Sequence, residues 1–175
     1  MSIENNVAVI LLGHGSRVEG AGKQMERVAN ALMETFDMDF IETCYLSRLG
    51  PHFPEVFEGV VKRGAKTVIV IPYFLHGGMH ILLDIPEMMQ KTAAAYPEVK
   101  VILGKNLGFD TLLVELVRKR IEESSAMPDV WEVVLPPRDR YPVPAGQCEF
   151  VPMKPDEAAH YLNGHGHGGD DHHRH

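Results

Sequence analysis

Two short segments hold the residues best equipped for chemistry. The first, Gly13-His14-Gly15-Ser16-Arg17, follows the apolar run Val7 to Leu12. The second, Tyr73-Phe74-Leu75-His76-Gly77-Gly78-Met79-His80, follows the apolar run Val68 to Pro72 and leads into Ile81 to Pro86. Both combine histidine with glycine. Glycine lets the backbone turn sharply and lets a ligand approach it closely. Neutral imidazole ligates cobalt, nickel, zinc or iron near neutral pH, and it is a base strong enough to take a proton. His14 and His80, brought together, would therefore handle a divalent metal ion and protons at one place. Either segment alone reads equally well as a glycine-rich turn with an incidental histidine; two of them meeting in one crevice are harder to ascribe to accident. Asp84 follows His80 by four residues, one helical turn, where its carboxylate could orient the imidazole or offset the positive end of a helix. Ser16 is expected to cap the helix after the first turn. His76 is open to two readings, a third ligand or a hydrogen-bonding group at the rim. His52 reads as a surface residue at a helix start.

Such residues need a frame. Val7 to Leu12, Val68 to Pro72 and Val99 to Leu103 are short, continuous apolar runs, as expected of parallel strands buried on both faces. Asp39 to Leu46 is a less pure fourth strand. Between them the apolar residues fall at helical spacing: Met25, Val28, Ala29, Leu32, Met33 and Phe36, then Val56, Val60 and Val61 with Gly64 as a stop, then Ile81 to Tyr96 and Leu112 to Ile121. Pro86 is tolerable in the opening turn of the third helix. Alternating strands and helices imply an α/β fold, a parallel sheet of about four strands with helices on both faces. Its expected order is 2-1-3-4, which sets the first and third strands side by side and opens a crevice beyond their carboxyl ends, where both histidine segments lie. We divide the chain into this domain at 1–123, a proline-rich extension at 124–159, and a tail at 160–175 rich in Gly, Asp and His, which cannot bury enough apolar area to offset its ordering entropy.

Composition narrows the function classes. A formal net charge of −7 argues against a nucleic-acid partner, which demands clustered Lys and Arg. An anionic substrate would need a local basic patch. Two cysteines, Cys44 and Cys148, are too few for a disulfide scaffold. The N-terminal apolar run is short and preceded by Glu4, unlike a signal peptide, and no segment approaches the roughly 20 apolar residues of a membrane-spanning helix. The expectation is a cytoplasmic protein without a membrane partner.

LLGHGSR near the start and PYFLHGGMHILLDIP in the middle resemble the small sirohydrochlorin cobaltochelatases of the CbiX type, relatives of the sirohydrochlorin iron and nickel chelatases. GKNLGFDTLLVELVRKRIEE resembles the last βα unit of that family, so the likeness spans residues 5 to 123. The resemblance implies a flavodoxin-like domain that pairs with a second copy as a homodimer. It places the family's two histidines at His14 and His80, as catalytic and metal-binding groups. It further implies insertion of Co²⁺ into sirohydrochlorin during cobalamin biosynthesis, with the metal as substrate and no tightly bound cofactor. Fe²⁺ and Ni²⁺ stay open as alternatives. The substrate's carboxylates would be met by Arg17, Arg48, His76, Ser16 and the backbone of Gly13, Gly15, Gly77 and Gly78. One departure is visible: where relatives often carry carboxylates after the second strand, this chain has Ser47 and Gly50. His165, His167, His172, His173 and His175 could store or deliver metal, and a metal-delivery protein in which the tail is the working part is the non-enzymatic reading. A Gly-His-Gly turn is superficially similar to histidine phosphatases, but their Arg-His-Gly order is absent.

Overall fold

The computed structural model describes residues 6–36, 40–48, 50–137 and 140. The tail histidines, Cys148 and most of the proline-rich extension lie outside the described residues. Contacts divide the chain into two units, Met1–Val134 and Leu135–His175, and the site lies within the first.

That unit is built on four parallel strands, β1 (Val7–Gly13), β2 (Ile41–Tyr45), β3 (Thr67–Pro72) and β4 (Lys100–Leu103), in the order β2-β1-β3-β4. Among the described residues four α-helices accompany them: α1 (Lys23–Phe36), α2 (Phe53–Lys62), α3 (Ile85–Ala93) and α4 (Thr111–Ser124). β1 occupies the middle, with Leu12 opposite Cys44 of β2 and opposite Pro72 of β3. Its unbroken apolar run follows from that position, because both faces are covered. Ala8, Ile10 and Leu12 point to one side with Val68 and Val70, packing against Phe53, Phe57 and Val60 of α2 and Ile85 and Met89 of α3. On the opposite side Leu11 and Ile41 meet Met25 and Ala29 of α1. Cys44 is fully buried in the first cluster, and burial pushes its thiol up to about 12.

α2 is fixed at both ends. Glu55 Oε2 accepts from the His52 N–H at 3.3 Å, and the His52 ring nitrogen Nδ1 meets the Tyr45 carbonyl at 3.2 Å. His52 is thus half-buried and ties α2 to β2, rather than standing free on the surface as the sequence suggested. At the other end Gly64, at φ +105°, donates to the Val61 carbonyl, and Ala65 donates to that of Val60. This reciprocal pair closes the helix at the glycine expected to stop it.

Three elements differ from expectation. α1 starts only at Lys23, so Ser16 does not cap it; its Oγ accepts from the Val18 N–H at 3.0 Å within a loop that Gly20, at φ +76°, keeps out of the helix. The expected helix Ile81 to Tyr96 is divided. His80–Asp84 forms a widened π turn in which the Ile85 N–H reaches back to the His80 carbonyl, and regular α3 begins only beside Pro86. Proline has no N–H to continue the ordinary ladder, and π turns recur where a side chain must be re-aimed. Finally, α4 has an Asp110 cap, with Oδ1 accepting from Leu112 N–H at 2.8 Å, yet it buries no residue and makes no more than incidental contact with the other elements.

Candidate active site

The strand order sets the ends of β1 and β3 next to each other, and hydrogen bonding continues past the strands into the loops. The Leu46 N–H donates to the Gly13 carbonyl at 2.9 Å, the Ser47 N–H to the His14 carbonyl at 3.0 Å, and the Tyr73 N–H to the Leu12 carbonyl at 2.8 Å. Ser47 Oγ donates to the same His14 carbonyl at 3.2 Å. His14 is therefore held from the β2 loop by two donors on one residue. Ser47 was noticed in the sequence only as a missing carboxylate, and its service as a clamp on His14 has no motif to announce it.

Gly15 completes the first turn. It sits at φ +95°, and a β-carbon there would collide with the Ser47 carbonyl oxygen. Conformation and space both exclude a side chain. Gly77 and Gly78 differ: neither adopts a positive φ, and a β-carbon on either would meet nothing within 4 Å. Their lack of side chains leaves an open surface beside the second loop.

The two imidazoles meet. The ring centroids of His14 and His80 are 5.5 Å apart with planes at 61°, and Phe74 stands edge-on to His14 at 6.4 Å. Both histidines are exposed, so an incoming ligand has access. Nδ1 of His80 lies 2.6 Å from Oδ2 of Asp84. A carboxylate only accepts, so Nδ1 carries the proton, and the lone pair is left on Nε2 for a metal or a substrate proton. His14 Nδ1 lies 3.3 Å from the Gly15 carbonyl, which likewise only accepts and leaves its Nε2 lone pair outward. The π turn is what presents His80 and Asp84 one turn apart on its exposed side.

Among the described residues no group of three or more His, Cys, Asp and Glu could hold a metal. His76 is exposed and does not join the histidine pair. Two imidazoles suit an ion in transit, since structural metal sites close four ligands around the ion. Glu42, a conceivable replacement for the missing carboxylates, pairs instead with Arg63, whose guanidinium lies 5.0 Å over Phe40.

A cavity of about 400 Å³ opens at His14, lined by Gly13, Gly15, Ser16, the 18–22 loop and Tyr45. Of the expected site residues, His76, His80, Asp84, Arg17, Arg48, Gly77 and Gly78 do not line it; Glu19 and Glu26 do. The cavity wall is acidic, which favours cations, while the expected carboxylate-binding arginines lie outside it. The buried Tyr45 hydroxyl occupies the space left by the missing side chain of Gly22.

The family model CbiX matches residues 8–124. The sirohydrochlorin ferrochelatase of Priestia megaterium is 31% identical over 67% of this chain and 44% of its own length. The sirohydrochlorin cobaltochelatase of Sulfolobus acidocaldarius is 26% identical over 67% of this chain and 92% of its own. The crystal structure of the sirohydrochlorin chelatase SirB from Bacillus subtilis subspecies spizizenii, in complex with cobalt, superposes with a TM-score of 0.63 at 30% identity, over 67% of this chain and 50% of that one. The chain thus spans about half the length of several relatives it matches.

Proposed function

Because this chain belongs to the CbiX family, we propose that it inserts a divalent metal ion, Co²⁺ in the first instance, into a sirohydrochlorin-type tetrapyrrole with release of two protons. The observation that carries the reading is the pairing of His14 and His80 at 5.5 Å between ring centroids, on the loops that follow β1 and β3. Insertion needs two things at once: the ion must shed its water, and the ring must lose two N–H protons. Imidazole serves both needs. In the proposed sequence the outward Nε2 atoms of His14 and His80 replace water on the incoming ion. They then release it as the ring nitrogens coordinate, and take up the pyrrole protons that leave. Asp84 holds the His80 ring in the tautomer this requires and stabilises it once protonated. The acidic wall at Glu19 and Glu26 favours cation entry. Arg17 and Arg48 are proposed to meet the carboxylates of the macrocycle.

Cobalt is the first reading because relatives matched by this chain, those of Sulfolobus acidocaldarius and Methanopyrus kandleri among them, carry the name cobaltochelatase. Iron is the second reading, supported by the higher identity of the Priestia ferrochelatase. An anaerobic assay following the visible absorbance of sirohydrochlorin with Co²⁺ or Fe²⁺ separates them. The expected result is faster metallation with Co²⁺ at equal free-ion concentration. Faster metallation with Fe²⁺ assigns the iron reaction, and no catalysed metallation with either ion overturns the chelatase reading.

A further inference from the structure

Asp84 directs the ring of His80, but no carboxylate among the described residues bonds to His14. The His14 ring is exposed, and its contact with the Gly15 carbonyl is long at 3.3 Å. An exposed side chain on a loop samples several staggered rotamers unless neighbours restrict it. Ser47 leaves the ring free to turn, because both of its hydrogen bonds end on the His14 backbone carbonyl. Besides His80, the aromatic ring against His14 among the described residues is Phe74, edge-on at 6.4 Å between centroids with the planes at 74°.

Phe74 must itself be held. Its side chain packs on the first core cluster, but its backbone lies beyond the last residue of β3. The bonding from β3 to β1 runs out at Tyr73, whose N–H reaches the Leu12 carbonyl. The Phe74 carbonyl is met instead from the loop after β4, where Asn106 Nδ2 donates to it at 3.1 Å and the Gly108 N–H donates to it at 3.4 Å. Good bonds of this type span about 2.7–3.2 Å, so Asn106 supplies the stronger of the two. Gly108, at φ +54°, turns the loop so that both donors arrive together, and Asn106 is half-buried, which limits competition from water.

We propose that Asn106 is a positioning residue for the histidine pair: by fixing the Phe74 carbonyl it sets the edge of the Phe74 ring against His14 and so aims the outward Nε2 of His14. The ends of β1 and β3 are then clamped from both flanks. Ser47, after β2, holds the backbone of His14, and Asn106, after β4, holds the residue that limits its ring. Only in its effect on rate does the inference rest on the chelatase reading; the ring geometry is independent of it.

Proton and nitrogen NMR spectra of the imidazoles in the metal-free full chain test the geometry, with His14→Ala marking the His14 signals. Phe74→Leu removes the ring current and should move the His14 ring protons. Asn106→Leu, similar in size but unable to donate, should move them in the same direction, while His80 keeps its Nδ1 proton. Asn106→Asp, whose carboxylate cannot donate either, should repeat the shift without the apolar change. In insertion assays Asn106→Leu should lower kcat about 10-fold and leave KM for sirohydrochlorin within about twofold, as misdirection of a bound group requires. His14 signals unmoved by both folded Asn106 variants overturn the inference, as do His14 signals unmoved by Phe74→Leu. A raised KM at constant kcat also overturns it, and so does loss of the fold in both Asn106 variants, which would make the residue structural. Absence of insertion by the wild type would sink the chelatase reading instead, and the spectra would still decide the role of Asn106.

Discussion

The chemistry rests on a few side chains whose neighbours fix their direction. Asp84 is the clearest case: its carboxylate decides which nitrogen of His80 keeps a lone pair. Asp84→Asn preserves the shape but removes the charge and loosens the tautomer, so kcat/KM for cobalt insertion should fall about 10- to 100-fold. An unchanged rate would remove Asp84 from the mechanism. The glycines of the two loops make a second contrast. Gly15→Ala forces a side chain onto a positive φ and against the Ser47 carbonyl, which should cost about 1–3 kcal/mol and displace His14. Gly77→Ala meets open space and should leave stability within about 0.5 kcal/mol. Thermal melts and insertion rates of the two variants check both statements. At this scale His14, His80 and Asp84 were legible, because imidazole and carboxylate announce their chemistry and a four-residue spacing announces a helical turn. Ser47 was not: its contribution is two hydrogen bonds to a backbone carbonyl 33 residues away, a relation that exists only once β1 and β2 are paired.

Among the elements, the strands and the α2 and α3 helices form the rigid part on which the histidine loops stand. Phe57 is fully buried between the sheet and Tyr96, with its ring 5.5 Å from that of Phe53. Phe57→Ala should cost about 3–5 kcal/mol, seen as a lower urea midpoint with little change in the slope. A loss under 1 kcal/mol would mean that the α2 layer is not the principal core. The strands could be read from the apolar runs because burial on both faces leaves a clear pattern, and their order 2-1-3-4 followed from the commonest way of building a small doubly wound sheet. Helix boundaries were less visible. The π turn at His80–Asp84 shares the apolar spacing of the helix it opens into, and only the missing N–H of Pro86 hints at the change in ladder. The late start of α1 reflects Gly20 and Gly22, which carry no apolar signal. α4 was correctly seen as an apolar helix, but periodicity does not reveal that none of its residues is buried.

For the molecule as a whole, charge and length set the terms. A net charge of −7 and an acidic cavity suit the capture of cations, and leave the carboxylates of a macrocycle to be met locally. The chain spans about half of the Priestia ferrochelatase and of SirB. The proposed function is carried by the His14–His80 pair. The account as a whole depends on that pair acting together. Its most direct test is the rate of Co²⁺ insertion into sirohydrochlorin by wild type, His14→Ala and His80→Ala, each shown to be folded by circular dichroism. Each substitution is predicted to lower the catalysed rate by about 10²- to 10⁴-fold without changing the melting temperature by more than a few degrees. Near-wild-type insertion by both folded variants would contradict the account.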